Sequence, residues 1–120
     1  MTGNTIEIYE DAAGEYRWRL RMCGEILAVS SEGYTNKSDC WDAAWTVKSL
    51  AVFDSIRSQY RLEWYVDAAA EIRWRLRHQN GNIVADSREG YTDLDRFESH
   101  LTAFKRYSSR ARMSDRTVDD

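Results

Sequence analysis

Fifteen residues near the start of the chain, Glu7 to Arg21 (EIYEDAAGEYRWRLR), recur as Glu63 to Arg77 (EWYVDAAAEIRWRLR), with 11 of the 15 positions identical. Self-similarity at a fixed spacing marks a duplicated structural unit and limits what the rest of the chain can do. The offset is 56 over that stretch and becomes 57 after one extra residue in the second copy, so that Gly24, Ile26, Ala28, Ser30, Glu32, Gly33, Tyr34 and Thr35 return as Gly81, Ile83, Ala85, Ser87, Glu89, Gly90, Tyr91 and Thr92. Beyond Thr35 the copies diverge, and between the pairs Asn36/Asp93 and Ala51/Ser108 only Lys48 and Lys105 match. The 120 residues therefore divide into repeat one at 5–56, repeat two at 61–113 and a flexible tail at 114–120.

Each copy changes its hydrophobic period from two to helical spacing at the Glu-Gly-Tyr-Thr segment. Tyr16, Trp18 and Leu20 alternate with Arg17, Arg19 and Arg21, and Ile72, Trp74 and Leu76 with Arg73, Arg75 and Arg77, the pattern of a strand with one apolar face and one charged face. Asp-Ala-Ala-Gly14 before the first of these reads as a turn with Gly in a positive-φ position; Ala70 in the second copy costs about 1 kcal/mol if that backbone is kept. Cys23-Gly24 and Asn80-Gly81 follow as hairpin turns. Strands are expected near 5–10, 15–22, 25–31, 61–66, 71–78 and 82–88. Asn36 or Ser38 caps a first helix with Cys40, Ala44, Val47 and Ala51 on one face; Thr92 with Asp95 makes a capping box for a second helix with Leu94, Phe97, Leu101 and Phe104. Val52 to Ile56 is apolar enough for a further strand, with a weak counterpart at Ser109 to Met113. A three-stranded unit with one helix buries too little surface to stand alone. The expected architecture is α+β: two βββα units in one antiparallel sheet, with both helices on one face and the arginines on the other.

The pattern E-x-Y-x-D-A-A-x-E-x-R-W-R-L-R, then G-x-I-x-A-x-S, then E-G-Y-T, carried by both copies, resembles the YegP-like family of small domains. The resemblance implies a β(3)-α-β repeat, found as tandem pairs or as homodimers of single copies, in which the repeats share one sheet and exchange their C-terminal strands. It brings no catalytic residue or cofactor to this chain. Family helices place small or apolar residues where Cys40, Ala44 and Val47 stand and polar ones where Trp41 and Trp45 stand, so the two tryptophans are a departure.

Charge and composition exclude some functions. Seventeen basic against twenty acidic residues give a net charge of −3, so the molecule as a whole has no pull on nucleic acid or an anionic membrane. The N-terminus has no basic segment followed by an apolar one, and no uncharged apolar run approaches the roughly 20 residues needed to span a bilayer, which points to the cytoplasm. There, Cys23 and Cys40 are expected as thiols. His78 and His100 fall at no metal-ligand spacing with them, and no nucleophile–base motif is present, so metal, cofactor and catalysis are not expected.

Three features remain as candidate sites. Trp41 and Trp45, one helical turn apart beside the apolar stripe, correspond to Glu98 and Thr102 in the second copy; they read as a partner-binding or self-association patch, or as rings folded over the edge of the core. Arg17, Arg19, Arg21, Arg73, Arg75 and Arg77 put six guanidiniums on one sheet face, either as a salt-bridged ladder with Glu7, Glu15, Glu63 and Glu71 or as an accessory nucleic-acid or ribosome-binding surface on which Tyr9 and Tyr65 stack. Ser30 to Thr35 and Ser87 to Thr92 lack the second glycine and the lysine of a phosphate loop. They read as turns with Gly33 and Gly90 at positive φ, and with Tyr34 and Tyr91 plugging the sheet edge. The predicted function is a non-catalytic interaction module engaging a protein partner or its own copy.

Overall fold

A computed structural model describes residues 4–22, 24–49, 59–107 and 110–117. The first repeat supplies strands β1 (Thr5–Glu10), β2 (Tyr16–Met22) and β3 (Glu25–Val29) and helix α1 (Lys37–Ser49); the second supplies β4 (Tyr60–Val66), β5 (Ile72–His78), β6 (Ile83–Asp86), helix α2 (Leu94–Tyr107) and β7 (Arg112–Asp115). All seven strands form one sheet in the order β4-β5-β6-β3-β2-β1-β7. The repeats join edge to edge where β3 meets β6, through the single antiparallel pair Val29↔Asp86.

The alternation read in the sequence is kept. Ile6 and Ile8 face Leu20 and Trp18 across β1 and β2, and Leu62 and Trp64 face Leu76 and Trp74 across β4 and β5. The inward residues of both repeats except Trp64 and Val66, together with Cys40, Ala44 and Val47 of α1 and Phe97 and Phe104 of α2, make one continuous apolar cluster, so both helices lie on the same face of the sheet. Trp18 and Trp74 are fully buried at equivalent places, and Phe104 packs on Trp74 with ring centroids 4.5 Å apart. Among the ion pairs that tie one repeat to the other are Lys37 at the start of α1 with Asp115 of β7, at 2.9 Å, and Arg96 of α2 with Glu25 of β3, at 2.8 Å.

The structure corrects several expectations. The sheet is antiparallel except at its end, where β7 runs parallel to β1, from Thr5↔Arg112 to Ile8↔Asp115. The second repeat thus lends its last strand to the first, the exchange that the family resemblance implies. Ser114 and Asp115 therefore belong to a strand rather than to a flexible tail, and Thr117 is held by its bonds to Asp115 and Lys37. A four-residue strand with only Met113 strongly apolar gives no periodic signal, and its order comes from the open edge of β1. The corresponding candidate in the first repeat, Val52 to Ile56, lies outside the described residues, as do Ala51 and Cys23. Helix α2 is capped by Asp93, whose Oδ1 accepts the Asp95 N–H at 2.9 Å, not by Thr92. Leu94 is 55% exposed instead of joining the apolar stripe, because it stands in the first turn before α2 reaches the core.

Gly33 and Gly90 are not at positive φ, so their conformational freedom is not what the fold uses. A Cβ at Gly33 would lie 2.8 Å from the Glu15 Cβ, and one at Gly90 would lie 2.7 Å from the Glu71 Cβ. The glycines are there because the chain crosses directly over the start of β2 and of β5. At those crossings Tyr34 pairs with Tyr16 and Tyr91 with Ile72, through reciprocal backbone bonds of 2.7 to 2.8 Å. Burial pushes both phenols up to about 12, and Tyr91 meets His100 Nδ1 at 2.7 Å.

Ala70 does keep the backbone of its counterpart, with φ at 64° against 81° at Gly14. The left-handed conformation is strained for a residue with a Cβ. Ala70→Gly is accordingly expected to stabilise the protein by about 1 kcal/mol, read as a raised midpoint in denaturant at unchanged slope. A lowered midpoint would mean that the strain is taken up elsewhere.

Candidate interaction surfaces

The side chains that alternate with the core residues of β2 and β5 place the six predicted arginines on the sheet face opposite the helices. Each is engaged through its Nε. Arg19 and Arg21 reach Glu7 Oε1 at 2.7 and 3.5 Å, and Arg75 and Arg77 reach Glu63 Oε1 at 3.0 Å each. Arg17 and Arg73 reach Asp11 and Asp67 at 2.7 and 2.6 Å. The register explains the pairing, since Glu7 stands directly opposite Arg19, and Glu63 opposite Arg75. Tyr9 and Tyr65 lie on the same face beneath the Arg19 and Arg75 guanidiniums, 4.3 and 4.6 Å from ring centroid to charge.

Two of the four expected acceptors are replaced. Glu15 and Glu71 are drawn over Gly33 and Gly90, and the carboxylates that take their place are Asp11 and Asp67 of the preceding turns. Asp11 accepts the Ala13 and Glu15 N–H groups on one oxygen and Arg17 on the other; Asp67 does the same with Ala69, Glu71 and Arg73. The D-A-A-x-E-x-R spacing carried this signal, as an Asx turn whose second oxygen points along the next strand. Arg116, contributed by the chain just after β7, adds a third guanidinium to Glu7 at 3.3 Å.

Glu7 is only 5% exposed. Burial alone would raise its pKa, but the hydrogen bond from Arg19 and the charges of Arg19, Arg21 and Arg116 outweigh it and hold the carboxyl below its ordinary value. Hydrogen bonds from their arginines likewise lower Asp11, Asp67 and Glu63. At the seam between the repeats Asp86, where the first repeat has Val29, goes the other way, since burial raises it against the pull of Arg73 and Arg17.

On the helix face the two candidate tryptophans separate. Trp41 packs against the core, whereas Trp45 is 51% exposed, with the Lys48 ammonium 5.0 Å from its ring centroid. Cys40, beside them, is a free and buried thiol that burial pushes up to about 11. A shallow depression of about 480 Å³ lies along α2 among Asp95, Glu98, Thr102 and Tyr107. Among the described residues there is no group of three or more His, Cys, Asp or Glu placed to hold a metal ion, and no helix long and apolar enough to cross a membrane.

The sequence reading missed one exposed aromatic. Trp64, 67% exposed, and Val66, 59% exposed, stand on β4 where the first copy has Ile8 and Glu10. The signal was in the repeat alignment, as an apolar gain at a position that copy one did not need it.

The depressed carboxyls give a signed acid dependence. A carboxylate whose pKa is lowered by folding contributes fully above its unfolded value, 4.5 for Glu7, and loses that contribution as pH falls through the folded value. Thermal midpoints should therefore fall as pH drops below about 4.5. Glu7→Gln should cost about 1 to 2 kcal/mol at pH 7 and flatten this acid limb, with a smaller effect from Glu63→Gln on its more open site. An acid limb equally steep in Glu7→Gln would show that the stability resides in other groups.

A profile of the domain of unknown function DUF1508 matches the chain twice, at residues 11–57 and 67–115. A UPF0339 protein of Neisseria meningitidis serogroup B is 49% identical over 51 residues, 42% of this chain and 91% of that relative, which is thus a single repeat in length. The UPF0339 protein of the ptx operon 5′ region of Stutzerimonas stutzeri is 33% identical over 96 residues, covering 80% of this chain and 81% of its own. Two solution NMR structures share the fold. The protein of unknown function yegP from E. coli has a TM-score of 0.79 at 19% identity over 97% of this chain and 95% of its own. A UPF0339 protein from Shewanella oneidensis has 0.72 at 18% identity over 95% and 92%. With both repeats matched and the shared sheet in place, this chain belongs to the DUF1508 family as a tandem, YegP-like member.

Proposed function

We propose that this protein is a non-catalytic interaction module of the cytoplasm that engages a protein partner through the aromatic patch of α1, with Trp45 as the contact and Trp41 as its support. The observation behind this reading is the half-exposed indole of Trp45 on a helix whose counterpart carries Thr102 at the same place. A large ring left in water gains nothing for the monomer, whereas tryptophan buried at the centre of an interface is among the strongest contributors to binding. Trp41 anchors the patch to the core, which keeps the surface rigid and limits the entropy lost on binding.

A second reading, an accessory nucleic-acid or ribosome-binding role, rests on the arginine face. The intramolecular ion pairs of all six arginines use Nε, and among the described residues the terminal nitrogens of Arg17, Arg19, Arg73 and Arg75 make no hydrogen bond. Guanidiniums held by one edge, with Tyr9 and Tyr65 stacked below two of them, offer a pre-ordered surface for phosphate and base. The net charge of −3 argues for the first reading over this one.

Co-purification from nuclease-treated extract separates the two. On the first reading Trp45→Thr, which copies α2, loses a partner retained by the wild type while changing stability by less than about 0.5 kcal/mol. Trp41→Glu costs several times more stability because it opens the core. A partner held equally well by Trp45→Thr overturns the assignment. On the second reading the captured species disappears with nuclease, and affinity for a generic RNA falls with salt and with Arg17→Gln/Arg73→Gln; binding unchanged by salt would exclude it.

A further inference from the structure

The two ends of the sheet are built from equivalent strands and are finished differently. At one end β1 is covered by β7, which takes up the outward backbone groups of Asn4 and Ile8 through bonds from Arg112 and Arg116 of 2.8 and 2.7 Å. At the other end β4 pairs, among the described residues, with β5 alone. Its backbone parity follows from its ends: Gln79 donates to the Gln59 carbonyl at 2.7 Å, and the Asp67 N–H donates to the Glu71 carbonyl at 2.9 Å. Odd-numbered residues of β4 therefore address β5, and Leu62, Trp64 and Val66 turn their N–H and C=O groups outward. A strand edge in this state is a template for another strand unless it is blunted by proline, lysine, a bulge or a cover. The register of β4 against β5 is unbroken, and it contains neither proline nor lysine; its two charged residues, Arg61 and Glu63, alternate with Leu62 and Trp64 and so lie on the other face.

The side chains show the same asymmetry in reverse. Ile8 on the covered edge is fully buried, while Trp64, opposite the fully buried Trp74, is 67% exposed, and Val66 beside it is 59% exposed. Among the described residues the β4 edge thus carries more exposed apolar surface than the β1 edge, the opposite of what solvent alone would favour.

We infer that β4 is a self-association edge, at which the β4 strands of two copies pair antiparallel about a twofold axis and continue the sheet from one molecule into the next. This does not depend on the α1 patch. Centred on Trp64, the pairing sets Trp64 against its own copy and Leu62 against Val66 of the second copy. The outward backbone groups of these three residues then bond across the seam, and both indoles stack on the helix face. The charged face agrees with that register: Arg61, exposed and outside the arginine ladder, falls opposite Asp67 of the second copy, and Glu63 falls opposite its Tyr65. A twofold contact closes at two copies, so the expected product is a dimer and not a fibre.

Sedimentation equilibrium from about 1 µM to about 1 mM tests this, with hydrogen exchange on the same samples. The wild type should pass from monomer to dimer over that range, and the amides of Leu62, Trp64 and Val66 should slow as the dimer forms. Trp64→Lys should weaken association at least tenfold. Val66→Pro, which removes an outward N–H and no bond to β5, should do the same with the circular dichroism of the monomer unchanged. Trp45→Thr should leave association untouched. A monomer at every concentration, a dimer equally strong in Trp64→Lys and Val66→Pro, or a dimer dispersed by Trp45→Thr would each overturn the assignment, the last by moving self-association to α1.

Discussion

One-sided burial is the constraint from which the rest of the molecule follows. Each repeat makes a strand ribbon that is apolar on one face only, with a fully buried tryptophan at its centre, Trp18 or Trp74, and a single helix above it. Such a unit has too little interior to repay the entropy of ordering about 50 residues. Joining β3 to β6 doubles the face, and the residues of both helices then belong to one apolar cluster. The backbone seam is narrow, a single ladder pair, so the union is held chiefly by that shared core. The crossed ion pairs Lys37–Asp115 and Arg96–Glu25 add to it. Being partly exposed, they contribute register more than energy.

The opposite face follows from the same alternation. If the apolar residues of β2 and β5 point one way, the three alternating arginines of each strand must point the other, and they repel unless the neighbouring strand answers them. Glu7 and Glu63 do so by lying across from the middle arginine of each trio, and the turn aspartates take the first. The two halves are not equally finished: Glu7 is closed over by Arg116 from beyond β7, whereas Glu63, among the described residues, has only the two arginines of its own repeat. The arrival of the exchanged strand at β1 thus tightens both the sheet edge and the carboxylate cluster beside it.

How much of this was legible depends on whether a feature is local. The duplication, six strands to within a few residues, the two helices, the strained Ala70 and the paired faces all follow from short-range pattern, because alternation and turn chemistry are fixed within a few positions. The parallel β7 was legible only as a weak strand at Ser109 to Met113 and through the strand exchange that the family resemblance implies, since Arg112–Asp115 has no alternation of its own and is ordered by an edge more than 100 residues away in sequence. The swap of Glu15 and Glu71 for Asp11 and Asp67 in the ladder was missed for a different reason. It is set by the crossing of the Gly33 and Gly90 segments, where the absence of a Cβ matters and the sign of φ does not. Trp41 and Trp45 looked alike in sequence and differ in space, because a helix flank rises out of the core within one turn.

Duplication in one chain also explains why the two edges of the sheet differ. In a pair of separate single repeats, both last strands are free to cross to the partner's first strand. In a tandem, the last strand of the second repeat reaches β1, whereas the first repeat is joined through the chain to β4, and parallel neighbours in direct succession need a connection of a dozen or more residues. Fusion therefore favours closure at β1, which among the described residues β4 does not share. The divergence between the copies runs in the same direction: Ile8 and Glu10 on β1 correspond to Trp64 and Val66 on β4. Where two copies of one motif have been released from symmetry, the positions at which they part are those at which the fused molecule can carry a surface that a symmetric pair would not.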